Sequence, residues 1–244
     1  MADPVSSVAY AIEAGLRALD GNLVLLVPTM FLVLAIISLV RLNYDQLIRR
    51  FPQGGGAVAA TGAAFGEGWA FLPLGALIVD FVLTIAISVA AAASAAIAYF
   101  PSLAPHRTSI AIALCCVVAG ITWFGHLGRS VFATMTVAFV VSAIPIVVLG
   151  LLTPHATGNA PVHGTGDTSA WSVFLAFPVA MALATGVEAP SSAIAQLGQL
   201  DDRGRARFGR ATLWLTFAIE GTLTLVIVGL AVWLRVGVPK ENST

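Results

Sequence analysis

Four carboxylates stand within or at the edge of apolar stretches of this chain: Asp3, Asp80, Glu188 and Glu220. A charge at the centre of a membrane helix costs ~2.5 to 3.5 kcal/mol, so each calls for a chemical reason. Asp80 is followed by Thr84 and Ser88 at i+4 and i+8, which stacks a carboxylate and two hydroxyls along one helix face. The plainer reading has the hydroxyls bonding back to their own helix while Asp80 pairs with a neighbouring one. Aligned beneath a carboxylate, they also make a ladder of hard oxygen ligands. Tyr10 lies seven residues after Asp3, on the same helix face, and Thr185 three residues before Glu188. Oxygen donors of this kind favour a small hard cation. Glu220 has no ladder of its own and reads as a bundle-facing acid paired with another helix.

The elements that must position these groups are membrane helices. The chain is 58% hydrophobic and 10% charged, with a mean hydropathy of +0.93, where a soluble domain is about 25% charged. Six stretches are long enough to span: Leu23 to Val40, Trp69 to Phe100, Ile110 to Phe124, Val131 to Leu152, Trp171 to Leu197 and Ala211 to Leu234. Val5 to Leu19 is too short to cross, and Glu13 and Arg17 give it one wet face through an i to i+4 pair. Read alternately, the loops holding Arg41, Arg49, Arg50, Arg129, Arg203, Arg205, Arg207 and Arg210 are cytoplasmic. The opposite loops carry only Arg17, Arg107, Arg235 and Lys240. The expected class is an all-α, polytopic transmembrane bundle in the inner membrane, a single domain over 1–244 with the lipid bilayer as its main partner.

Several other functions are excluded. A net charge of zero with arginines confined to loops offers no face for nucleic acid. Cys115 and Cys116 are adjacent in an apolar run, unsuited to a structural disulfide or a metal cage. His106, His126, His155 and His163 share no metal-ligand spacing. No nucleophile or metal set occurs at membrane depth, so an enzyme is not expected. The run Phe51-Pro52-Gln53-Gly54-Gly55-Gly56 lacks the Lys-Ser/Thr of a phosphate loop and reads as a flexible turn inside the loop Arg41 to Gly68.

Thr185-Gly186-Val187-Glu188-Ala189-Pro190-Ser191-Ser192 interrupts the apolar run from Trp171 to Leu197. A glycine, a carboxylate and a proline together predict a broken helix. Asp3-Pro4-Val5-Ser6-Ser7 and Glu188-Ala189-Pro190-Ser191-Ser192 share an acid, a nearby proline and a Ser-Ser pair. An ordinary helix start, with an acidic N-cap and early proline, would look the same. Loop alternation runs the first copy outward and the second inward, as in an inverted repeat, and paired interrupted helices mark the binding site of secondary transporters. An acid at each start offsets the helix dipole and turns the site away from a substrate carboxylate, toward a cation.

At these residues the sequence resembles the amino acid–polyamine–organocation (APC) superfamily. Asp3 to Tyr10 is similar to the break and outer half of that family's first helix, Phe51 to Gly56 to its second cytoplasmic loop, and Thr185 to Ala189 to the break of its sixth. The Asp3/Tyr10 spacing, the Asp80/Thr84/Ser88 ladder and the Thr185/Glu188 pair resemble its KimA-type potassium–proton symporters. The resemblance implies a partial LeuT-like inverted-repeat fold from the outer half of helix 1 through helix 7, with a first repeat at about 1–152 and the start of a second at about 171–236. It implies a chain truncated at both ends. It also implies a potassium site made by Asp3, Tyr10, Asp80, Thr84, Ser88, Thr185 and Glu188. No cofactor is implied, potassium and protons being the transported species. The segment Val131 to Leu152 has no lysine or arginine to stand in for a coupling cation, which leaves proton coupling to Glu188 or Asp80. The alternatives are an amino-acid/proton symporter of the same superfamily and a non-transporting fragment; a homodimer fits either.

Overall fold

The computed structural model describes the backbone of residues 3–123, 126–153, 156, 158–164 and 169–238, and their side chains except those of 3, 4 and 126–129. Nine α-helices run through these residues: α1 Asp3–Ala18, α2 Leu23–Arg50, α3 Gly56–Phe65, α4 Glu67–Tyr99, α5 Arg107–Trp123, α6 His126–Leu152, α7 Ala170–Ala180, α8 Ala189–Ala193 and α9 Asp202–Leu234. Six stretches are long and apolar enough to cross a membrane: Leu23–Arg50, Glu67–Tyr99, Pro101–Trp123, Ser130–Leu152, Ala170–Gln196 and Asp202–Leu234. Each overlaps one of the six expected spans, but Leu23–Arg50 ends beyond Val40, Pro101–Trp123 begins before Ile110 and Asp202–Leu234 begins before Ala211. At 16 residues α1 falls short of one, and its Arg17 pairs with Glu13 at 2.8 Å as the spacing predicts.

Local chemistry sets the helix starts. Asn22 precedes α2 and accepts from the Val24 and Leu25 amides at 3.1 and 3.2 Å, and Asp201 serves α9 by accepting from Gly204 at 2.8 Å. Pro28, Pro73, Pro145 and Pro178 lie inside helices, as membrane helices tolerate when neighbours satisfy the freed carbonyls.

Two expectations between Val40 and Gly68 are corrected. First, α2 continues past Val40 to Arg50, because Tyr44, Leu47 and Ile48 keep an apolar stripe at helical spacing. Arg41 is therefore a buried helix residue and not a cytoplasmic loop charge, and Arg49, Arg50, Arg203, Arg205, Arg207 and Arg210, expected in loops, also lie in helices, toward the ends of α2 and α9. Second, the alanine-rich segment after the glycine run forms α3 rather than loop, as its high helix propensity favours.

The core lies where α1, α2, α7 and α9 meet, filled by Val8, Leu26, Met30, Ile37, Leu183 and Val228. By contrast, α5 buries no residue and α4 only Thr84 and Ala93. Residues 158–164 tie the end of α9 to the start of α2 at one end of this core. The Gly158 amide donates to the Leu234 carbonyl at 2.9 Å and that of Ala160 to Arg235 at 3.3 Å, while Val162 accepts from the Val24 amide at 3.3 Å.

The predicted break is present. After α7 a 3₁₀ turn covers Met181–Ala184, Thr185 is extended, and Gly186 takes a φ of 74° before α8 begins. That left-handed backbone is one an L side chain rarely adopts, which accounts for the glycine. Glu188 occupies the N-cap position of α8, with Pro190 in the first turn. Its side chain makes no capping hydrogen bond, so capping does not explain the acid.

Candidate functional site

Three hydroxyls converge at the break. Ser7 Oγ lies 2.6 Å from Thr185 Oγ1 and 3.0 Å from the Tyr10 hydroxyl, and Tyr10 lies 3.3 Å from Thr185. Thr185 also donates to the Ala182 carbonyl at 3.2 Å. This triangle joins α1 to the unwound segment, with Ser7 and Thr185 both buried. Glu188, three residues on, is buried as well. Positive φ at Gly186 lets the chain turn so that Thr185 faces α1 while Glu188 opens the next helix.

Asp80 and Ser88 on α4 are half-buried and Thr84 between them is buried, so the three occupy the inward face of a helix otherwise open to lipid. Thr29, Ser38, Ser94 and Thr136 each donate to the carbonyl four residues earlier. Thr84 does not: among the described residues its buried Oγ1 has no partner. The self-bonding reading of the ladder fails at this hydroxyl, which a ligand could satisfy. Asp3 was expected to complete the set, and its side chain lies outside the described residues.

Two site residues had no sequence signal strong enough to single them out. Ser7 belonged to the repeated Ser-Ser pair, and only the fold shows it bonded to Thr185. Tyr44 falls beyond the expected end of α2, yet its half-buried phenol lies within electrostatic reach of both Glu188 and Asp80. It thus feels the charge of two acids that the chain separates widely. No group of three or more His, Cys, Asp or Glu residues suited to a metal ion occurs among the described residues. An ion here would be met by hydroxyls and carboxylates from several helices rather than by a cage.

The glycine run packs against the inner side of the break. A Cβ at Gly56 would stand 2.6 Å from Ser191 Oγ, and one at Gly54 2.7 Å from the Ala195 Cβ, with φ of 47° and 93°. It is a turn, as read, but close packing holds it, and Gln53 fastens it further by donating to Asp202 at 2.7 Å.

Glu220 pairs with another helix as expected, and its partner is Arg41. The Arg41 Nη2 to Glu220 Oε2 distance is 2.6 Å, with both side chains 0% exposed. Arg41 Nη1 donates to the Leu213 carbonyl at 2.6 Å, and its guanidinium lies 5.3 Å from the centre of the Phe217 ring. Thr216 and Thr224 flank Glu220 by four residues on either side and are also buried, so this acid does carry a hydroxyl stripe, contrary to the sequence reading. Nearer the end of α2, Asp45 accepts from Arg210 at 2.6 Å and from Trp214 at 3.1 Å.

Residues 4–243 match the profile of a family described as "Amino acid permease". The chain belongs to the amino acid permease family. It is also 31% identical over 262 residues to "Potassium transporter KimA" of Bacillus subtilis (strain 168), an alignment that covers 99% of this chain and 41% of that protein. The chain thus spans well under half the length of the curated relative it matches. Membership of a permease family, with six apolar spans, makes it a multi-pass protein of the cell membrane.

Proposed function

We propose that this permease-family chain contributes to a secondary transporter that takes up potassium, coupled to protons, by alternating access. The observation that carries the reading is the hydroxyl triangle of Ser7, Tyr10 and Thr185 at a helix break that also holds the buried Glu188. The face of α4, a helix that touches α1, bears Asp80, the unpartnered Thr84 hydroxyl and Ser88 and would supply further oxygens. Such donors replace the hydration shell of a hard cation without binding it so tightly that it cannot leave. The name of the Bacillus subtilis relative supports potassium in particular. In this reading Asp3, Asp80 and Glu188 provide charge, Tyr10, Thr84, Ser88 and Thr185 provide neutral oxygens, and Glu188 or Asp80 carries the proton.

The test is rubidium uptake in a potassium-starved host lacking its own potassium uptake systems. The chain would be expressed alone and in place of the segment it matches in the relative. Uptake that rises with an inward proton gradient and is abolished by Asp80→Asn or Glu188→Gln is the expected result. Uptake unchanged in both variants would overturn the site assignment, and uptake of labelled amino acids in place of rubidium would overturn the substrate.

A further inference from the structure

The Arg41–Glu220 pair lies outside the proposed ligand set. An apolar pair of similar volume would hold α2 against α9 about as well, because desolvating two charges costs roughly what their attraction returns. What such a pair could not supply is a fixed charge. Arg41 is held on three sides, by Glu220, the Leu213 carbonyl and the Phe217 ring, and α2 packs against α8, which Glu188 opens. The guanidinium and the Glu188 carboxylate are near enough to attract. Among the described residues, the other titratable groups near this region are Tyr10 of α1, Tyr44 of α2, Asp80 of α4 and Glu220 of α9, with Asp45, Arg49 and Arg210 further along α2 and α9.

We propose that Arg41 sets the cation affinity of the site: its charge, held in place and partly offset by Glu220, opposes a cation bound at Glu188 and so lets the ion leave. A carrier needs a site favourable enough to fill and weak enough to empty. A guanidinium suits this task because it stays charged even when buried. Arg41 would act on the ion through the field at Glu188 without touching it, and Glu220 would regulate how much of that field the site feels. The inference rests on the ion-site reading above.

The experiment measures thermal protection of the purified 244-residue chain in detergent by rubidium chloride, against choline chloride at equal ionic strength. Protection as a function of concentration yields an apparent dissociation constant that is separate from intrinsic stability. Arg41→Gln should tighten rubidium binding and Glu220→Gln should weaken it, each by about tenfold, the size expected of one unit charge acting through a partly buried interior. The double variant Arg41→Gln/Glu220→Gln, which leaves no unpaired buried charge, should return to near the original affinity, as should Arg41→Lys. A brace with no electrostatic role would lower the melting temperature of both single variants without moving their affinities in opposite directions. That outcome overturns this inference alone. No protection of the unaltered chain at any rubidium concentration overturns the ion-site reading and this inference with it.

Discussion

The two sides of the molecule bury very different things. Where α1, α2, α7, α8 and α9 meet, the interior holds Ser7, Thr185, Glu188, Arg41, Glu220, Thr216 and Thr224 beside its leucines and isoleucines. The run α4 to α6 is apolar on its outside, with Phe71, Ile112 and Leu149 all exposed, and its chief inward polar feature is the Asp80/Thr84/Ser88 face. The difference follows from the solvent. Hydrocarbon accepts apolar side chains on a helix surface but penalises polar ones, so polar groups collect where several helices can satisfy them. Packing and specific polar contacts, rather than burial from water, must hold the first region together. The second is defined largely by what it can show to lipid.

The largest test of this contrast is at the buried ion pair. Arg41→Met leaves the Glu220 carboxyl without its counter-charge, and the cost should be about 3–5 kcal/mol, seen as a steep fall in melting temperature and yield of the detergent-solubilised chain. A matched pair of truncations measures the contrast directly. Ile37→Ala, at a position 0% exposed in the bundle, should cost about 2–5 kcal/mol. Ile112→Ala, 60% exposed on α5, should change stability by no more than ~0.5 kcal/mol. Equal losses at the two sites would show that the exposed face of α5 is packed against something after all.

Smaller effects sharpen the site itself. Gly54→Val must place a Cβ against Ala195 at a φ of 93° and should cost about 1–3 kcal/mol through crowding and strain. Limited proteolysis would find the turn at Phe51 to Gly56 opened. Ser7→Ala removes the 2.6 Å contact to Thr185 and should cost only ~1 kcal/mol of stability, read from the same melting curves. It should also weaken rubidium protection, because the hydroxyl lost holds Tyr10 and Thr185, two of the proposed ligands.

Much of the fold was legible in the sequence because membrane spans announce themselves through local composition. Apolar runs of sufficient length placed the six spanning stretches, and Gly186, Glu188 and Pro190 located the break to within a few residues. The Asp80/Thr84/Ser88 face followed from helical spacing alone. The error at Arg41 has a definite cause: an arginine after an apolar run is ordinarily a loop anchor, and the rule that reads it so cannot see a carboxylate 179 positions away. The same limit hid Ser7, whose partner Thr185 is 178 positions distant, and Tyr44, which matters for its nearness to Glu188 and Asp80 rather than for any spacing of its own. The alanine-rich α3 was hidden differently, since the glycines before it signal a turn more strongly than alanines signal a short helix.

Sequence determined the class of the molecule, the number and approximate place of its spans, the position of the break and the oxygen-rich chemistry of its candidate site. These depend on length, hydropathy and helical period, which are properties of neighbouring residues. Tertiary structure decided which faces meet: that Ser7 and Tyr10 close on Thr185, that Glu220 takes Arg41, and that the glycine run lies against Ser191. Each of these joins helices far apart in the chain. Only the packed bundle, by denying buried polar groups any water, compels them to find one another.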